Sequence, residues 1–128
     1  MGQTDLRGFT ILVVEDDCDT RELIGVVLER AGARVLAAGD ARQALQLVQD
    51  RAPDLILSDV GLPDEDGRSF IRKVRELKLR VPAAAVTAYD EEADNLAAGF
   101  DRHLRKPVDH DRLLRVVGEL VGPSRVPA

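Results

Sequence analysis

Apolar residues come along this chain in two rhythms. Short uninterrupted runs, such as Ile11 to Val14 and Leu55 to Leu57, alternate with stretches in which apolar positions return every three to four residues. A brief unbroken run rich in β-branched residues reads as a strand buried on both faces, and the longer spacing reads as one apolar face of a helix. The first strand is therefore expected over residues 10–14. A helix follows in which Leu23, Ile24, Val27 and Leu28 share a face until Gly32 ends it. A second strand at 34–37 leads to Asp40, with Gln43 three residues on: a capping box for a helix carrying Leu45, Leu47 and Val48 and stopped by Pro53. The third strand is 54–58, and Gly61, Pro63 and Gly67 punctuate the loop behind it. Phe70, Ile71, Val74 and Leu77 predict a third helix, broken by Pro82. A fourth strand at 83–87 precedes a short acidic helix over 91–98, closed by Gly99. A brief fifth strand at 103–105 leads to a last helix, capped by Asp109 and carrying Leu113, Leu114, Val117, Leu120 and Val121.

Five strand-then-helix units in succession predict an α/β fold: a single doubly wound, five-stranded parallel sheet with right-handed crossovers and helices on both faces. In such open sheets ligands bind beyond the carboxyl ends of the strands, where the strand order reverses. The 128 residues suffice for one domain. The expected division is an N-terminal extension at 1–8, the folded unit at 9–121 and a tail or linker at 122–128.

Charge and composition narrow the partners. A formal net charge of −5 argues against holding nucleic acid or anionic lipid by long-range attraction. A single cysteine, Cys18, excludes an internal disulfide framework, and neither a signal peptide nor an apolar run of membrane-spanning length is evident. The expectation is a cytoplasmic protein without nucleic acid or membrane partners.

The strand ends carry the chemistry. Glu15, Asp16 and Asp17 follow the first strand, Asp59 the third, Thr87 closes the fourth and Lys106 follows the fifth. Two unit charges about 4 Å apart repel by about 4 kcal/mol at an effective dielectric near 20, so converging carboxylates require a cation. Oxygen ligands without histidine or cysteine suit magnesium. A carboxylate beside that ion can attack phosphorus, while a lysine and a hydroxyl hold the remaining oxygens. Each residue alone has a plainer reading. Asp16, Asp17 or Asp19 could cap a helix, Asp59 could serve a turn, Thr87 is an ordinary strand residue and Lys106 an ordinary surface lysine. Their coincidence at four strand ends favours the phosphoryl site.

The motifs ILVVEDD, DLILSDVGLPDEDG, VTA and LRKPVD, in this order and spanning about residues 9–121, resemble the receiver domain of two-component response regulators. The stretch GFDRHLRKPVD in particular resembles receivers attached to hybrid histidine kinases. The resemblance implies a flavodoxin-like (βα)5 fold with strand order 2-1-3-4-5. It also implies phosphoryl transfer from a histidine kinase or phosphotransfer protein to Asp59, with no separate substrate turned over. Magnesium would be held by Glu15, Asp16, Asp59 and the carbonyl of Gly61, Glu15 acting through a water. Thr87 matches the hydroxyl that moves onto the phosphoryl group and Lys106 the lysine that pairs with it. The Lys106-Pro107 bond is expected to be cis. Asp17 is expected at the rim or as a helix cap. Gly61 and Tyr89 occupy positions that govern access of water to the phosphoryl group. The response would alter a surface read by a further, unidentified protein, with the chain a monomer or weak dimer.

Two features depart from the family pattern. His103 stands where a switch tyrosine or phenylalanine is usual, which weakens ring coupling to Thr87 or makes it sensitive to pH. The segment from Thr87 to Gly99 is about one helical turn short, truncating the fourth helix and its customary contact surface. A degenerate receiver that only mediates protein contacts is one alternative. A haloacid-dehalogenase-like magnesium phosphatase is another, and Gly61 stands where that chemistry needs a second acid. A flavodoxin-like nucleotide-binding module would place glycine or hydroxyl groups, not acids, at the first strand end.

Overall fold

The computed structural model describes residues 4–122. The expected tail therefore falls, apart from Gly122, outside the described residues, as do the first three residues of the expected extension. Strands and helices alternate: β1 (Thr10–Val14), α1 (Cys18–Arg30), β2 (Arg34–Ala38), α2 (Ala41–Arg51), β3 (Leu55–Ser58), α3 (Gly67–Glu76), β4 (Ala83–Thr87), α4 (Glu92–Ala98), β5 (Arg102–Arg105) and α5 (His110–Val121). All neighbouring strands pair in parallel in the order β2-β1-β3-β4-β5, as the strand–helix rhythm and the resemblance together required.

The alternation of side chains along each strand divides the interior in two. Leu12, Val14, Ile56, Ala83 and Ala85 face α2, α3 and α4, joined by Ala44, Val48, Phe70, Ile71, Val74 and Phe100. Ile11, Val13, Leu55, Leu57, Ala84 and Val86 face α1 and α5, joined by Ile24, Leu28, Leu113, Val116 and Val117. Leu6, placed by the sequence in an extension, is fully buried in this second core, and its amide bonds the Ala31 carbonyl at 2.8 Å.

Several local expectations shift by a residue or a role. Asp40 caps α2 through the Gln43 amide, whereas the Gln43 side chain reaches the amide of Gly39, one residue before the cap. β5 begins at Arg102 rather than His103, and Glu91 stands before α4 as a cap residue without a side-chain bond. Leu23 and Leu77, read as members of apolar faces, are exposed on the solvent side of α1 and at the end of α3. Periodicity alone does not say where an apolar stripe stops, because its edge positions match the spacing as well as its centre does.

Candidate functional site

The hydrogen-bond ladder of the sheet runs one residue beyond the strands at their carboxyl ends. The Glu15 amide donates to the Ala38 carbonyl at 3.0 Å, that of Asp59 to Val14 at 2.9 Å and that of Lys106 to Thr87 at 2.9 Å. Glu15, Asp59 and Lys106 are thus each held by the sheet itself and not by a free loop. Sequence separations of 44 and 47 residues collapse into one cleft.

Within it the Lys106 ammonium donates to Glu15 Oε1 at 2.5 Å and to Asp59 Oδ2 at 3.0 Å. Asp59 Oδ1 accepts from the Gly61 amide at 3.1 Å. Glu15, Asp16 and Asp59 each offer a carboxylate oxygen within 4.8 Å of the others. Sequence reasoning set Lys106 against an incoming phosphoryl group. Here it is already bonded to two of the three acids, one positive charge shared between them. Burial pushes the Glu15 carboxyl above its ordinary value, against the pull of the Lys106 bond, and nearby Asp59 adds to the rise. Burial alone would lower Lys106, but its bonds to Glu15 and Asp59 outweigh that and hold its ammonium above the usual lysine value. Three carboxylates facing one ammonium leave a net charge of −2, which suits a divalent cation with oxygen ligands.

The backbone around these groups is tightly fitted. Arg21 Nη1 donates to the Glu15 carbonyl at 2.7 Å, bracing the acidic turn from α1. Asp17 accepts from the Thr20 amide at 3.0 Å and so caps α1, in line with the helix-cap reading. A Cβ at Gly67 would lie 2.3 Å from the Asp59 carbonyl oxygen, so only glycine lets α3 start this close to Asp59. By contrast nothing lies within 4 Å of a Cβ at Gly61, leaving that flank of Asp59 open. The Lys106-Pro107 peptide is cis.

Thr87 is fully buried, its Oγ1 accepting from the Tyr89 amide at 3.3 Å. The Tyr89 ring itself is largely exposed. His103 does not stand alone. Its Nδ1 lies 3.0 Å from Nδ2 of Asn95, a fully buried residue of α4. Asn95 Oδ1 and His103 Nε2 are buried without hydrogen-bond partners. Sequence reasoning missed Asn95, Arg21 and the packing role of Gly67. Asn95 gives no local signal, since its partner is on the next strand.

Comparisons with known proteins agree with this geometry. The family model of the response regulator receiver domain matches residues 11–118. A Leptolyngbya boryana protein described as an uncharacterized 14.6 kDa protein in the sodA1 3' region is 47% identical over 117 residues, covering 88% of this chain and 89% of its own. The KDP operon transcriptional regulatory protein KdpE of Escherichia coli is 39% identical over 119 residues. That is 91% of this chain but 49% of KdpE, so the chain spans about half the length of that regulator. Among solved structures, the receiver domain of the Pseudomonas aeruginosa sensor histidine kinase PA1611 superimposes with a TM-score of 0.84 at 34% identity, covering 91% of this chain and 99% of that one. That structure carries a magnesium ion coordinated in its active site cleft. The Francisella response regulator 1452 receiver domain gives a TM-score of 0.85 at 28% identity, over 89% of this chain and 97% of that one.

Proposed function

Because the chain belongs to the response regulator receiver domain family, we propose that Asp59 accepts a phosphoryl group from the phosphohistidine of a histidine kinase or histidine phosphotransfer protein. The observation that carries this reading is the shared bonding of Asp59, Glu15 and Lys106 in one cleft. An Asp59 carboxylate oxygen attacks phosphorus. The phosphorus–nitrogen bond breaks, its electron pair stays on the donor imidazole, and an acyl phosphate remains on Asp59. Glu15, Asp16, Asp59 and the Gly61 carbonyl are the groups to hold magnesium, Glu15 through a water. Bound there, the ion would supply positive charge against the phosphoryl oxygens.

Lys106 is bonded to the accepting carboxylate before the reaction and transfers to a phosphoryl oxygen after it, so its charge is never stranded. Thr87, buried one strand away, supplies a hydroxyl to the same group. Its movement is passed to His103 and through Asn95 to α4, which changes the surface offered to a downstream protein. The open flank at Gly61 gives water a path to the acyl phosphate, and exposed Tyr89 screens the other side. The chain processes its own aspartyl phosphate and turns over no separate substrate. It acts in the cytoplasm as a monomer or weak dimer, with residues 9–121 as the functional unit and Leu6 packed into its second core.

Mass spectrometry after acetyl phosphate treatment with magnesium tests the reading. Wild-type chain gains one phosphoryl mass and Asp59→Asn gains none. Labelling that survives the substitution, or none in the wild type, overturns it.

A further inference from the structure

The loop that carries Gly61 is anchored at a point that phosphoryl chemistry does not itself require. At its base the Gly67 amide donates to the Val60 carbonyl at 2.7 Å and the Leu62 amide to the same oxygen at 3.1 Å, with Gly61 and Asp66 paired across it. Its underside is held by Val60 and Leu62 in the core. Its tip is Asp64, whose Oδ1 accepts from the Glu65 amide of the loop at 3.0 Å while the carboxylate also reaches out of the loop. Oδ1 accepts from the Ala41 amide and Oδ2 from the Arg42 amide, each at 2.9 Å.

Ala41 and Arg42 are the first two residues of α2, where amides have no partner within the helix. Asp40, the helix's own cap, serves the Gln43 amide and leaves these two free. Helix α2 thus has two carboxylates at its start, one from its own chain and one from the loop behind β3. Bonds from an ionised carboxylate to such amides are charge-assisted and favoured by the helix dipole. The consequence lies in the sheet order. β1 sits between β2 and β3, so a tie from the β3 loop to the start of α2 passes across the end of β1, where Glu15 and Asp16 stand.

We propose that Asp64 is a positioning residue for the metal and phosphoryl site: it straps the loop bearing Gly61 to the β2–α2 corner and so fixes the carbonyl of Gly61 relative to Glu15 and Asp16. The proposal rests on the phosphoacceptor reading above. A loop tied only at its base keeps freedom at its tip, and that freedom must be removed each time the ion binds. With the strap in place the loop is ordered beforehand. Asp64 touches neither ion nor phosphoryl group and acts wholly through the loop.

Asp40 supplies the control. Asp40→Ala removes a carboxylate from the same helix end without touching the loop, so it reproduces the helix cost alone. The experiment compares wild type, Asp64→Ala, Asp64→Asn and Asp40→Ala in the full chain. It uses calorimetric titration with magnesium chloride, thermal unfolding, and hydrogen exchange at the amides of Leu62 and Gly67. The expected result is a magnesium Kd raised about tenfold in Asp64→Ala, the low end of the loss seen when outer-sphere partners of metal ligands are removed. Asp64→Asn, with one acceptor left, falls between. Asp40→Ala loses melting temperature but keeps the wild-type Kd and loop protection. Equal Kd and equal loop protection in Asp64→Ala and wild type overturn the proposal, as does an Asp40→Ala defect of the same size. If wild type itself binds no magnesium, the parent reading fails, and the exchange arm alone decides the strap: protection lost in Asp64→Ala and kept in Asp40→Ala supports it, and protection kept in both overturns it.

Discussion

At the residue scale, Lys106 and Gly67 show two ways a single side chain, or its absence, governs the cleft. Lys106 competes with any cation for Glu15 and Asp59, since both of its bonds go to those carboxylates. Lys106→Met is therefore expected to destabilise the metal-free chain by about 2 kcal/mol, below the 3–5 kcal/mol of a fully buried pair because the ammonium is partly exposed. It is also expected to bind magnesium more tightly than wild type, so that most of the loss is recovered when the ion is added. Urea unfolding with chelator and with excess magnesium measures both effects, and an equal loss under the two conditions contradicts the account. Gly67→Ala is a purely steric case. The contact at 2.3 Å is with backbone, which cannot rotate away as a side chain tip can, so a destabilisation of about 2–3 kcal/mol is expected in the same assay. Gly61→Ala, with open space around it, serves as its neutral counterpart.

At the element scale, caps separate strong helices from weak ones. Helices α1, α2, α3 and α5 are each preceded by a capping aspartate, Asp17, Asp40, Asp66 and Asp109, whose carboxylate accepts from the backbone amide of Thr20, Gln43, Arg68 and Arg112 respectively. The seven-residue α4 has no side-chain cap bond. It depends on Ala98 in the core, on Arg68 lying 4.0 Å from Glu91 and 3.7 Å from Asp94, and on the Asn95–His103 bond. Asn95→Ala leaves His103 Nδ1 as well as Nε2 without a partner, a cost of about 1–3 kcal/mol. The loss is expected as faster amide exchange confined to α4, with α2 unchanged, because locally held elements open without global unfolding. Uniform acceleration across all helices would instead place Asn95 in the global core. The exposed Leu96 and Tyr89 lie on or beside this least anchored element, where a rearrangement of the cleft has least to overcome.

At the scale of the whole molecule, the acidic balance has a direct consequence for pH. Asp17 is held below its usual value by the Thr20 hydroxyl and amide, Asp64 by the Ala41 amide, and Glu65 by Lys73. Burial works against Asp66, but its bonds to Arg68 outweigh it. A carboxyl depressed in the folded state takes up its proton later than the unfolded chain does. Its contribution is therefore complete above about pH 4, the ordinary carboxylate value, and is lost as pH falls through the folded value. Glu15, raised by burial, acts oppositely and protonates first, so the decline is expected below about pH 4 and not above it. Melting temperatures from pH 6 to pH 3 check this, and a flat profile below pH 4 contradicts it. No helix of the described residues is long and apolar enough to cross a membrane.

The strand–helix rhythm determined the fold class by itself, because a run such as Ile11 to Val14 and a spacing such as Phe70, Ile71, Val74 are local consequences of burial on two faces or on one. The strand ends, and with them Glu15, Asp16, Asp59, Thr87 and Lys106, were legible for the same reason: in a parallel sheet every strand delivers its next residue to the same edge. What these residues bond to was decided by tertiary structure alone. Lys106 meets Glu15 across 91 residues, Asp64 meets α2 across 22 and 23, and Asn95 meets His103 over a helix-to-strand turn. Such pairings carry no period and no spacing rule. They exist only once the sheet has brought distant backbone together, and a hydrogen bond is specified by that final geometry and not by the residues' order along the chain.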